Sequence, residues 1–185
     1  MNEAPATTER AWTRNFTEAG IALALVALLA GIGTVGWQRA TRRAHVRQAV
    51  AFLNDLAERQ RAYRQEHHRY AATGNDVQDF WPRDIGNGQS NLWGLDCRKK
   101  GDAATHPGWC ALELEMQPHE RVWFQFVVLA KDTTKPWTPP EADIRKPQND
   151  WWIAKARADL DGDGQFSDLT FSSEMKEPRL VDELE

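Results

Sequence analysis

Residues 19 to 37 read AGIALALVALLAGIGTVGW, nineteen residues without a charge. At about 1.5 Å per residue they span roughly 28 Å, close to the hydrocarbon thickness of a bilayer. A single membrane crossing is the expectation. A secretory signal peptide is the competing reading, but its apolar core is about 7 to 15 residues long and ends in a small-x-small cleavage site. This run leads instead into GWQRATRR. The chain has 185 residues and a formal net charge of −4, so the part beyond the anchor has room for one soluble domain.

Orientation is contested within the sequence. Arg39, Arg42, Arg43 and Arg47 come after the anchor, whereas Arg10 and Arg14 precede it beside Glu9 and Glu18. The positive-inside rule alone would keep the C-terminal domain in the cytoplasm. The two cysteines, Cys97 and Cys110, point the other way. Their spacing closes a compact loop and suits a disulfide in an oxidising compartment; two free thiols in a cytosolic domain are the alternative.

Beyond the membrane the pattern stays helical. No Pro or Gly occurs from Gln38 to His68, and Val46, Ala49, Val50, Leu53, Leu56, Ala57 and Tyr63 recur at three-four spacing. Anchor and continuation predict one helix of about 50 residues, ending before Gly74-Asn75. Residues 71–110, rich in Gly, Asp, Asn and Trp, read as loop. Alternation at Leu112, Leu114 and Met116 predicts a half-buried strand over 111–116. RVWFQFVVLA, residues 121–130, is apolar on both faces and predicts a central strand. The four prolines of residues 131–150 exclude regular structure. Strands are expected at 151–158 and 166–172, joined by DLDGDG. The fold class is therefore α+β: a long N-terminal helix, transmembrane then amphipathic, packed on a roughly four-stranded antiparallel sheet. The expected organisation is an N-terminal segment over 1–18, a transmembrane helix over 19–37, an amphipathic stalk over 38–70, and a globular β head over 71–185.

That order, with the N-terminus, resembles the type IV pilins and pseudopilins, filament subunits of pili and of type II secretion systems. In that family a short basic leader ends in Gly, a prepilin peptidase cuts after it, and the mature chain begins Phe-Thr-Leu-Ile-Glu. Here Arg10 and Arg14 lie in the leader-like segment, and Phe16 and Thr17 match the first two mature residues. YRQEHHRY, residues 63–70, resembles the family helix terminus, and the strand-DLDGDG-strand hairpin resembles that of many pilin-like heads. The resemblance implies a single-pass protein of the bacterial inner membrane with its head in the periplasm or in a pilus or pseudopilus. It also implies partner subunits that pack through the N-terminal helix, and processing and assembly residues at Asn15, Phe16, Thr17 and Glu18. The chain departs from the family at two places. Asn15 stands where the family has Gly, and Glu18 falls in third place where the family glutamate is fifth. A carboxylate held in hydrocarbon costs at least about 2.5 kcal/mol unless paired. At third place Glu18 lies closer to the interface, where the helix dipole favours it. Gly31, Gly33 and Gly36 do not make a clean small-xxx-small face; the resemblance compares them with the partly unwound spine of family filaments.

Asp159, Asp161 and Asp163 with Gly164 copy positions 1, 3, 5 and 6 of an EF-hand loop, but Thr170 stands at position 12 and the neighbours read as strands. Two readings stay open: a hairpin turn in which Asp-Gly supplies positive φ, or weak structural calcium binding by Asp159, Asp161, Asp163 and Asp168.

No catalytic constellation is present. His45, His67, His68, His106 and His119 are scattered without metal-ligand spacing, and no phosphate loop or nucleophile elbow occurs. The chain reads as a non-enzyme, with no cofactor beyond structural calcium and no nucleic-acid partner. Trp81, Trp93, Trp109, Trp137, Trp151 and Trp152 serve either as core anchors or as a stacking platform for a ligand. The tail EMKEPRLVDELE reads as a solvated end. Two functions fit this pattern: a structural, pilin-like filament subunit, or an unprocessed membrane-anchored periplasmic sensor or ligand-binding domain.

Overall fold

The computed structural model describes residues 8–83, 88–114, 116–130 and 150–180; of residues 8–22, 30 and 35 the backbone alone is described. The chain divides into two compact units, Met1–Ala44 and His45–Glu185. Helix α1 (Thr8–His67) supplies the described part of the first and enters the second.

In the first unit α1 stays helical through Gly31, Gly33 and Gly36, where an added Cβ would meet nothing within 4 Å. Two of its described hydroxyls bond within the helix. Thr34 Oγ1 donates to the Gly31 carbonyl and Thr41 Oγ1 to that of Trp37, both at 2.9 Å. Such back-bonding to the preceding turn is the local alternative open to a Thr hydroxyl within a helix.

The second unit contains the rest of the secondary structure. After α1 come β1 (Asn91–Leu92), α2 (Lys100–Thr105), α3 (Pro107–Ala111), β2 (Arg121–Val122), β3 (Gln125–Ala130), β4 (Trp152–Ala158), β5 (Ser167–Ser172) and β6 (Arg179–Leu180). Strands β3-β4-β5-β6 form an antiparallel meander, and β1 pairs with β2 in a separate ribbon. The α+β class and the four-stranded sheet are as expected from the sequence. The strand membership is not.

The described residues of 111–116 form no strand. Pro107, free of the need to donate, opens helix α3, and the chain turns after Ala111 with Glu113 at φ 49. The alternation still expresses itself. Leu112 is buried, and Leu114 and Met116 pack against the same core without a partner strand. The fourth strand comes from the tail instead, where Arg179 and Leu180 pair with Thr170 and Leu169 of β5. The reading of 71–110 as loop is corrected in part, since it contains β1, α2 and most of α3. The segment 121–130 is broken between Val122 and Gln125, and β3 lies at the edge of the sheet rather than its centre. Its apolar character on both faces has a different cause. The loop before β1 lies along its open edge: the backbones of Trp81 and Phe126 exchange hydrogen bonds of 2.8 and 2.7 Å, and the Thr73 N–H donates to the Val128 carbonyl at 2.9 Å.

Period-two alternation then sorts β3 and β4 between two cores. On one face Phe126, Val128, Ala154, Ala156, Leu169 and Phe171 join Phe52, Leu53 and Leu56 of α1. The register places Ala156 between Phe126 and Leu169, and Ala154 between Val128 and Phe171. Small residues on the middle strand leave room for the α1 side chains, and the Phe52 ring lies 4.1 Å from that of Phe126. On the other face Val127, Leu129, Trp151 and Ile153 pack with Phe80, brought over by the loop after α1. Of the proline-rich stretch expected as irregular over 131–150, residues 131–149 lie outside the described residues.

Candidate functional site

Two features hold chemistry or surface that the fold itself does not use. The first is the apolar part of α1. From Leu23 to Trp37 its large apolar side chains, Leu23, Leu25, Val26, Leu28, Leu29, Ile32 and Trp37, are between 54% and 76% exposed. The helix is long and apolar enough to cross a membrane by length and composition, and none of the apolar window is buried. A soluble core helix would be covered, and a surface helix would show a polar face. The run lies near the N-terminus, where a membrane-spanning helix and a signal sequence share this length and composition. Asn15, Phe16, Thr17 and Glu18 lie in the helical backbone of α1, and the environment of their side chains is outside the described part of the structure.

The second is the loop between β4 and β5. Asp159, Asp161 and Asp163 bring one carboxylate oxygen each within 4.8 Å of one another, a group that could hold a metal ion. Hard oxygen donors in this arrangement suit a cation such as Ca²⁺. Asp159 is buried and already employed: its two oxygens accept from the Gly162 N–H at 2.7 Å and the Gly164 N–H at 3.1 Å. Gly162 and Gly164 take φ of 79° and 87°, the left-handed backbone that Asp-Gly supplies in tight turns. Asp163 Oδ1 accepts from the Gln165 N–H at 2.7 Å. Asp161 and Asp163 are exposed. The turn geometry is therefore present, with the three carboxylates converging on it.

Asp168, expected as a fourth ligand, is not brought to them. It sits opposite Arg157 in the β4–β5 register, and its oxygens accept from Arg157 Nε at 2.9 Å and Nη2 at 3.3 Å. The guanidinium also lies 5.2 Å from the ring centres of both Phe80 and Phe166, so the pair is clamped in place. A hairpin turning at Gly162-Asp163 sets residues 157 and 168 opposite each other, a signal available in the sequence.

Cys97 and Cys110 form a disulfide, with Cα atoms 5.3 Å apart. The loop it closes is further organised by Asp96, whose N–H donates to Asp102 Oδ2 and whose Oδ1 accepts from the Arg98 backbone and side chain. The Arg98 hydrogen bond holds the Asp96 carboxyl below its ordinary range. Trp93, Trp109, Trp151 and Trp152 are buried, with Trp93 and Trp109 in edge contact at 5.3 Å. They are core anchors, and they make no exposed stacking platform. Trp81 is half-buried and donates from its indole nitrogen to the Trp93 carbonyl at 2.9 Å. Trp137 is outside the described residues. A cleft of about 270 Å³ lies beside α1, lined by Phe52, Met116, Val122 and Phe124 with Asp55 and Glu120.

Sequence reasoning passed over Gln60. It occupies the apolar stripe of α1 one turn after Leu56 and is completely buried. A polar residue at a core-facing position of an otherwise clean stripe was the available signal. Comparison with protein-family models, curated proteins and solved structures finds no match for this chain.

Proposed function

We propose that this chain is a pilin-like structural subunit, held in a membrane by the apolar part of α1 and assembling with other subunits through that same surface. The observation that carries the reading is the contrast along α1: apolar side chains exposed from Leu23 to Ile32, then Leu53 and Leu56 completely buried in the head. The second half of the helix fixes the head, and the first half is left for lipid or sister helices. Assembly exchanges lipid contacts for helix contacts, a step driven by packing and not by burial from water. Phe16-Thr17 before the apolar run supports the pilin start, and the disulfide supports a head on the oxidising side of the membrane. A calcium ion at Asp159, Asp161 and Asp163 would stiffen the β4–β5 hairpin by relieving carboxylate repulsion.

Asn15, in the place of the family glycine, favours a second reading, an unprocessed single-pass anchor carrying a periplasmic binding domain. With four tryptophans buried, the cleft beside α1 is a ligand site open to that reading. Intact-mass analysis of the native protein extracted from membranes separates the two. A chain beginning at Phe16 supports the filament subunit. Retention of residues 1 to 15 overturns it in favour of the anchor. Replacing Glu18 with Gln then tests the carboxylate: loss of assembly with insertion intact assigns it a docking role.

A further inference from the structure

We propose that Arg39 and Arg43 form a binding site for the phosphate of anionic lipid headgroups. The inference rests on reading α1 as a membrane helix, and it holds for the filament subunit and the anchor alike.

Both arginines are exposed, four residues apart, and so share one face of α1. Among the described residues no carboxylate pairs with either. They directly succeed the apolar surface, whose last large side chain, Trp37, is 76% exposed. An exposed Trp at the end of an apolar helix marks the level where hydrocarbon meets headgroups. From that level Arg39 and Arg43 lie about 3 and 9 Å further along the axis. The headgroup layer on each side of a bilayer is roughly 5 to 8 Å thick. Side chains on an α-helix lean toward its N-terminus, so both arginines reach back toward the membrane and not away from it. That direction brings Arg43 within the layer as well. A planar guanidinium matches phosphate with paired donors, and the long aliphatic stem can lie along the apolar surface while the charge stays at the interface.

The site also gives the basic cluster a role that does not depend on orientation. The arginines argue for a cytoplasmic head when counted as topology signals, while the disulfide argues against it. The arginines need only a headgroup of net negative charge, its phosphate uncompensated by a choline, in whichever leaflet they meet.

The test uses the full chain reconstituted in bilayers of equal phosphatidylcholine and phosphatidylglycerol. Spin-labelled lipids of each kind report the fraction motionally restricted at the protein surface. The expected result is a preference for phosphatidylglycerol of about fivefold for each arginine engaged, falling to near parity in an Arg39→Gln, Arg43→Gln double variant. Arg61→Gln, an exposed arginine of the head, should keep the full preference. Parity in the wild type, or a preference unchanged in the double variant, overturns the proposal. So does a double variant that loses self-association while its lipid preference persists, which would assign the arginines to an acidic face of a second copy. Alkaline carbonate extraction is run in parallel. Release of the wild-type chain would overturn the membrane reading together with this inference, whereas retention with parity overturns this inference alone.

Discussion

Gln60 and Ala71 bind each other twice. Gln60 Nε2 donates to the Ala71 carbonyl at 2.7 Å, and the Ala71 N–H donates to Gln60 Oε1 at 3.0 Å, with both residues buried. The amide side chain copies a strand partner at the point where the chain leaves α1 and turns back over it. Replacing it with Leu leaves two buried backbone groups unpaired, each costing about 1 to 3 kcal/mol. Gln60→Leu should therefore destabilise the head by roughly 2 to 6 kcal/mol, measured by urea unfolding of the detergent-solubilised chain with tryptophan fluorescence. A Glu at this position sets carboxylate against carbonyl. Its defect should be larger at neutral pH and partly recover in acid.

Much of the chain was readable because apolar periodicity is a direct consequence of geometry. The α1 stripe at Ala49, Leu53, Leu56 and Ala57 is buried as its spacing implies, and strands β4 and β5 fall within a residue of the runs that announce them. Residues 112 to 116 mislead for an instructive reason. Alternation says which side chains face the core, and an unpaired segment can satisfy it as well as a strand can. Arg179 and Leu180 carry too short a pattern to signal a strand at all, and only β5 beside them makes one. The edge position of β3 was hidden because its backbone partners come from the irregular stretch at Thr73 and Trp81. Of the aspartates, three lie together as spaced; Asp168 goes to Arg157 because strand register, and not proximity in sequence, decides its neighbour.

The disulfide should contribute about 3 kcal/mol in the loop-entropy account, given the 13-residue separation of its cysteines. A Cys97→Ser, Cys110→Ser double variant should unfold at lower urea, and a reducing agent should shift the wild type to the same midpoint while leaving the variant unmoved. Equal sensitivity of both proteins to reductant would show that this bridge is absent in solution.

The aspartates of the β4–β5 loop should separate into two classes. Asp159→Ala removes the acceptor for the Gly162 and Gly164 N–H groups and should lower the melting temperature even in chelator, with a cost of about 1 to 3 kcal/mol. Asp161→Asn with Asp163→Asn, at exposed positions, should cost less stability in chelator than Asp159→Ala does. Any rise in melting temperature that calcium gives the wild type should vanish in this variant. A wild type insensitive to calcium would leave the loop as a turn held by its own hydrogen bonds.

His45 stacks on Trp123 with ring centres 3.9 Å apart, and burial holds its pKa below the ordinary 6.5. As pH falls, the unfolded chain therefore takes up a proton before the folded one does. The contribution to stability is complete above pH 6.5 and declines as pH drops through that value toward the folded-state pKa. His45→Phe keeps a ring against Trp123 and removes the titration. Melting curves between about pH 7.5 and about pH 5.5 should fall less steeply for this variant than for the wild type, and parallel slopes would count against the assignment.

The strip of backbone from Thr73 to Trp81 that occupies the outer side of β3 also closes that edge to foreign strands. Unsatisfied strand edges template pairing with any neighbour, and proteins gathered at high local density are the most exposed to that hazard. Here the longer edge is sealed by the chain's own backbone, and the opposite edge is the two-residue strand β6. The head is thus a poor substrate for runaway sheet polymerisation.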